Sequence, residues 1–154
     1  MDRVGVGIIG SGFIADLHAS AMTMVPEIDI VAVSSPTPGK AAAFAHERGI
    51  PHAYEDYRRL LDRPDIQLVS LALPNDRHAE AAIAAAGAKK HVICEKPLCR
   101  TLEEADRMIE ACRAAGVLTR AVGGGGLQVS PPLIMTPDQV SEMASLFRAG
   151  LAGL

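Results

Sequence analysis

Three short stretches of this sequence carry side chains, or lack them, in patterns that can do chemistry. Gly10-Ser11-Gly12-Phe13-Ile14-Ala15 has the spacing G-x-G-x-x-A. In such a turn the first glycine permits a sharp bend and the second lets the backbone approach a pyrophosphate. The third small residue lets a helix pack closely on a strand, and the helix N-terminus stabilises the anion. Glu95-Lys96-Pro97 follows a short apolar run. In isolation Lys96 is a surface lysine, and Glu95–Lys96 is an exposed pair of almost no stabilising value. At the C-terminal end of a buried strand, where open α/β sheets bind their ligands, Lys96 becomes a candidate catalytic group. Leu73-Pro74-Asn75-Asp76-Arg77-His78 follows another apolar run. His78 there either caps a helix, lies at the surface, or serves the same ligand.

These stretches need elements to hold them. Val4–Ile9 is a continuous apolar run with β-branched residues, as a strand buried on both faces requires. Ile28–Val33, Ile66–Leu73 and His91–Cys94 read the same way. Thr37-Pro38 supplies an N-cap and a first helical proline for a helix that stops at Gly49. Asp56 is placed to cap Tyr57–Leu61. Thr101-Leu102-Glu103-Glu104 is a capping box that opens a helix through Ala115, with Gly116 as its stop. Lys89-Lys90 reads as a charge pair at a helix C-terminus. Strand and helix alternating with short turns predict an α/β fold: a doubly wound parallel sheet over residues 1–118.

At the end of the second strand, an NAD enzyme places a carboxylate for the ribose 2′-hydroxyl, about 20 residues past the third small residue. That position is Ser35, so no carboxylate is present. Ser34, Ser35, Thr37 and Lys40 can all donate to a 2′-phosphate, yet Pro36 stands where an arginine would serve best. A plain loop without any discriminating role fits equally well. The cofactor reading is therefore NAD or NADP, with the balance slightly toward NADP.

The glycine turn, Pro74-Asn75-x-x-His78 and Glu95-Lys96-Pro97 together resemble the N-terminal domain of the glucose-fructose oxidoreductase, inositol dehydrogenase and rhizopine-catabolism family (Gfo/Idh/MocA). The resemblance runs from Val4 to about Leu118. It implies a Rossmann fold and hydride transfer between a nicotinamide cofactor and a sugar- or polyol-type hydroxyl in a complete enzyme. It assigns Gly10, Gly12, Phe13 and Ile14 to the pyrophosphate. Leu73, Pro74, Asn75 and His78 would border the adenosine-side phosphate and the nicotinamide ribose. Glu95 and Lys96 would flank the nicotinamide, with Lys96 touching the substrate hydroxyl. It also implies a cis bond before Pro97, which would aim Lys96 into the cleft. One departure is Lys89, where the family usually has glycine.

Past Leu118 the character changes. Residues 119–126, with Gly123-Gly124-Gly125-Gly126, read as a Gly-rich joint. Residues 127–154 read as an extended stretch with two prolines and then a helix whose Val140, Met143, Phe147 and Leu151 share a face. This C-terminal strand-helix extension weakly resembles the C-terminus of class III aminotransferases. It is too short for the family's substrate domain, so the expectation is a truncated or recombined product. The alternative function is a catalytically inactive dinucleotide-binding or regulatory module. A sugar or polyol would be a partner only of a complete enzyme.

Composition narrows the classes further. Among 154 residues, 49% are hydrophobic and 21% charged, which argues against disorder. Fifteen Lys and Arg against eighteen Asp and Glu give a net charge of −3, without the basic footprint of a nucleic-acid binder. Aromatics are 3% and Trp is absent, so the core must be aliphatic. Cys94, Cys99 and Cys112 lack metal spacing and read as reduced thiols of a cytoplasmic protein. His18, His46, His52 and His91 have no partner at ligand spacing and read as core or solvated residues. No metal site is expected, nor a membrane partner, whereas a homo-oligomer is compatible with the apolar stripe of the tail.

Overall fold

The computed structural model describes residues 3–115. Five strands form one sheet: β1 (Val4–Ile9), β2 (Ile28–Ser34), β3 (His52–Tyr54), β4 (Leu68–Leu71) and β5 (His91–Cys94). Their order is β3-β2-β1-β4-β5, and every pairing is parallel. Between them run α1 (Phe13–Met22), α2 (Lys40–Arg48), α3 (Tyr57–Leu61) and α4 (His78–Gly87), with α5 (Leu102–Ala114) after β5. A 3-10 turn over Asn75–Arg77 leads into α4.

Alternation along β1 explains why helices cover both faces. Ile8 packs with Ala15 and Ala19 of α1 and Phe44 and Ala45 of α2. Its neighbour Ile9 turns the other way, into a cluster with Leu71, Ala81, Ala85 and Met108. Neither is more than 1% exposed, and each such burial stabilises by about 1.5–3 kcal/mol. The core is aliphatic, as the composition requires. Ala81, Ala82, Ala85 and Ala86 are all buried along α4, where their small size lets neighbouring elements approach closely.

Several local readings need correction. The sequence pattern does not predict β3, because His52-Ala53-Tyr54 has no apolar run; it exists through pairing with Ala32–Ser34 of β2. Helix α2 starts at Lys40 rather than after a Thr37 cap. Gly39 is left-handed (φ 77°), and the Thr37 carbonyl instead accepts from the Lys40 N–H in a tight turn. The stop at Gly49 and the Asp56 cap are both present, the latter accepting from Arg58 N at 2.9 Å. At α5, Thr101 Oγ1 accepts from Glu104 N, but the Glu104 carboxylate reaches past Thr101 to Arg100 N. Lys90 does not serve the end of α4. Its ammonium is buried and donates to the carbonyls of Arg63 (2.7 Å) and Ile66 (2.8 Å), tying down the loop before β4. Gly116 and the regions 119–126 and 127–154 lie outside the described residues.

The strand order positions the site. From β1 the chain moves out to β2 and β3, then returns to place β4 and β5 on the other side of β1. The loops leaving β1 and β4 therefore diverge, and a crevice opens at their C-terminal ends.

Candidate functional site

Backbone alone shapes the centre of this crevice. Gly10 has φ 128°, and a Cβ on it would stand 2.2 Å from the Ala72 carbonyl oxygen. Its N–H donates to Ser34 O at 2.8 Å, which fastens the turn to β2. Gly12 differs. It is the N-cap of α1 with φ −95°, and a Cβ there would meet nothing within 4 Å. The chain's own packing therefore does not demand glycine at position 12. The open space adjoins a helix N-terminus that has no side-chain cap, so its first N–H groups are available to an anion.

A cleft of about 420 Å³ lies here. It gathers Gly10 and Gly12 from the first turn, Ser35, Thr37 and Lys40 from the β2–α2 loop, and Leu73 and Pro74 from the loop after β4. An adjoining chamber of about 280 Å³ is bordered by Ser34, Tyr57 and Arg77. Ser34 is 1% exposed, yet its hydroxyl has no hydrogen-bond partner among the described residues; the buried Oδ1 of Asn75 is likewise unpartnered. Leaving such an atom unsatisfied costs about 1–3 kcal/mol; Ser34 borders the smaller chamber and so suits a polar ligand there, whereas Asn75 is not on the wall of either cavity. Among the described residues neither Lys40 nor Arg77 forms an ion pair. Asp76 is the acidic residue on the wall of the larger cleft.

The other end of the site is built from α1 and β5. Phe13 and Ile14 present apolar surface from the first turn of α1, 75% and 36% exposed. Glu95 is half-buried just after β5, and the ring of His18 links it to the sheet. His18 Nε2 lies 2.9 Å from Glu95 Oε1, and its Nδ1 lies 2.6 Å from the hydroxyl of Ser70, a fully buried residue of β4. An ionised carboxylate only accepts, so Nε2–H donates to Glu95, and in the neutral ring the Ser70 hydroxyl donates to Nδ1. The second Glu95 oxygen, Oε2, accepts from the Lys96 N–H at 3.3 Å. Lys96 itself is exposed, outside the walls of both cavities, and the Lys96–Pro97 bond is cis. His78 is 1% exposed, with Nδ1 2.9 Å from the Pro97 carbonyl and Nε2 2.9 Å from that of Leu73. It spans two loops from inside the protein. Burial, with Glu95 and Cys99 nearby, pushes the Cys94 thiol up to about 12, which makes it a packing group rather than a nucleophile.

Two participants escaped the sequence reading. Arg77 sits inside the Pro-Asn-x-x-His stretch at a variable position and borders both cavities. Sequence spacing gives His18 no partner, although it lies one helical turn beyond the buried Ala15 and beside the buried Ala19. That periodicity marks a sheet-facing position, but the partners themselves are 52 and 77 residues away.

Comparison with known proteins agrees with this architecture. A family model described as "Oxidoreductase family, NAD-binding Rossmann fold" matches residues 4–122. Levoglucosan dehydrogenase of Pseudarthrobacter phenanthrenivorans is 40% identical over 126 residues, covering 77% of this chain and 32% of that protein. Myo-inositol 2-dehydrogenase of Thermotoga maritima is 35% identical over 113 residues, covering 73% of this chain and 34% of its own length. Among solved structures, a levoglucosan dehydrogenase in complex with NADH and L-sorbose superposes with a TM-score of 0.71 at 40% identity, over 77% of this chain and 34% of that one. The chain thus spans about a third of the length of these relatives. The comparisons do not bear out the aminotransferase resemblance of residues 127–154.

Proposed function

The chain belongs to the Gfo/Idh/MocA oxidoreductase family through its NAD-binding Rossmann fold, and from that premise we propose how its residues hold the cofactor and what reaction they serve. The Gly10–Ala15 turn binds the pyrophosphate on backbone N–H groups at the start of α1. Ser35, Thr37 and Lys40 take the adenosine ribose, with Leu73, Pro74 and Asn75 on the facing side. Phe13, Ile14, Glu95 and Lys96 serve the nicotinamide end, and His78 holds the two loops together from beneath. The observation carrying this reading is Gly12, a glycine where the protein itself leaves room for a side chain.

A bound nicotinamide exchanges hydride with a carbinol carbon. Lys96, beside the hydroxyl, would stabilise the negative charge on its oxygen as the proton passes to water and the hydride to the oxidised nicotinamide. A sugar or polyol is the substrate class, by analogy with the levoglucosan and myo-inositol dehydrogenases. The missing carboxylate at Ser35, together with Lys40 and Arg77 at the cleft, favours NADP over NAD. Residues 1–118 are the dinucleotide-binding domain in this reading, followed by a joint and an extension. The same reading puts the protein in the cytoplasm, without nucleic acid, and compatible with a homo-oligomer. No described helix is long and apolar enough to cross a membrane.

Separate calorimetric titrations with NADH and NADPH test the proposal, followed by assays of NAD and NADP reduction with inositol and sugars. Binding of both, with NADPH tighter, is expected. At a hundredfold excess over Kd, the bound form gains about 2.7 kcal/mol, visible as a higher Tm. No binding of either dinucleotide overturns the reading. Binding without polyol-dependent reduction selects the alternative of an inactive dinucleotide-binding module.

A further inference from the structure

The backbone of Lys96 is held on both sides by histidines from different helices. On one side His18 of α1 donates from Nε2 to Glu95 Oε1 at 2.9 Å, and the other carboxylate oxygen accepts from the Lys96 N–H. On the other side, Nδ1 of His78 in α4 lies 2.9 Å from the Pro97 carbonyl. The His18 ring is anchored at its far nitrogen on the Ser70 hydroxyl, while His78 sits between the carbonyls of Pro97 and Leu73 and, as a neutral ring, donates its one N–H to one of them. Ser70 is fully buried and His78 is 1% exposed, so the His18 ring bonds to a group inside the sheet and the His78 ring lies within the protein. A lysine on an otherwise exposed segment gains a fixed base only through such contacts, since its own four-carbon stem is flexible.

We propose that His18 is a positioning residue for Lys96, acting through the Glu95 carboxylate, with His78 as the second clamp. His18 thereby couples the cofactor-binding turn at the head of α1 to the end of β5. A shift of α1 as its N-terminus takes up an anion would be felt at Glu95 and at the Lys96 backbone. This inference rests on the reading of Lys96 as a nicotinamide-end group, and its test separates the two.

The test uses the full 154-residue chain, labelled with ¹⁵N, without and then with NADH. In the free protein, long-range ¹H–¹⁵N spectra should find the His18 proton on Nε2, and His18→Ala should shift the Lys96 amide resonance. His18→Gln, whose carboxamide can still donate to Glu95, should restore that resonance, while His46→Ala at an exposed site should leave it unmoved. If His18→Ala does not fold, Ser70→Ala, which removes the anchor of the His18 ring at Nδ1, should shift the same resonance. In the second arm, His18→Ala should weaken NADH binding severalfold, because the Glu95–Lys96 segment is then no longer held in place for the nicotinamide end, and His18→Gln should recover most of it. A bare Nε2 on His18, or a Lys96 amide unmoved in both variants, overturns the inference. An unchanged NADH affinity in His18→Ala overturns its link to the cofactor. A Lys96 amide that shifts in His18→Ala, while the wild-type chain binds neither dinucleotide, supports the clamp and overturns the cofactor reading instead.

Discussion

Gly10 runs so close to Ala72 that a Cβ on the former would stand 2.2 Å from the carbonyl oxygen of the latter. That contact joins the loops after β1 and β4 at the floor of the crevice. Two residues later, at Gly12, the same hypothetical atom meets open space. The two glycines of one turn are therefore held by different demands. Gly10→Ala should destabilise the fold by about 3 kcal/mol, from backbone strain at positive φ and the clash with backbone. Gly12→Val should stay within about 1 kcal/mol of wild type in denaturant unfolding but lose dinucleotide binding. A variant at Gly12 that melts normally and binds NADH unchanged would remove the cofactor assignment.

Lys89 follows α4 in the left-handed region, with φ 56°. An L-residue with a Cβ is strained there by about 1–2 kcal/mol, and glycine is not. Lys89→Gly should accordingly raise stability by about 1 kcal/mol and Tm by a few degrees, despite the added freedom of the unfolded chain. Calorimetry of the two proteins settles the sign.

Discrimination at the 2′ position should depend on Arg77 and Ser35. Arg77→Ala should weaken NADPH binding about tenfold and NADH binding much less, the difference of one charge-assisted contact. Ser35→Asp supplies the carboxylate that NAD enzymes carry there, and should invert the preference. Paired titrations with the two reduced cofactors measure both effects. Equal losses for NADH and NADPH in Arg77→Ala would mean that this guanidinium does not read the 2′ group.

Cys94 should resist alkylation in the native state. With its thiol at about 12, burial being the main cause, roughly one thiol in ten thousand is ionised at pH 8. Iodoacetamide followed by mass spectrometry should leave Cys94 unlabelled at pH 8 in the folded chain and label it fully in denaturant. The sign for stability follows from linkage. The unfolded thiol ionises first, near 9.0, so this group's contribution is intact below pH 9 and is lost as pH rises toward 12. Rapid labelling of native Cys94 at pH 8 would contradict this.

The sequence is most legible where local pattern and tertiary role coincide. β1 and its glycine turn can be read directly, because an apolar run and a phosphate-type turn each have a short-range signature. The cap at Asp56 is similar, since Asx-type capping is settled within three residues. β3 is invisible for the opposite reason: nothing in His52-Ala53-Tyr54 favours a strand until β2 supplies a partner. At α2, Pro38 fits a first helical position, but Gly39 takes a left-handed conformation and delays the helix to Lys40. In the site, the cleft walls from Gly10 to Pro74 were legible as motif positions. His18 was not, because its value depends on Ser70 and Glu95, which only the assembled sheet brings to it.

Strand order also imposes a schedule on the growing chain. During synthesis the glycine turn emerges early, attached to β1 and soon paired with β2. The wall across from it, Ala72 and Leu73, belongs to a strand that leaves the ribosome only after β3 has been laid down on the far side. Until β4 inserts beside β1, the turn lacks its facing wall, and a nucleotide meets only the half of the cleft that follows β1 and β2. The Glu95–Lys96 segment arrives later still and can be registered only once His18, made long before, finds it. Cofactor rescue of a destabilised variant should therefore act after release or late in translation, never on a nascent chain that ends before β4.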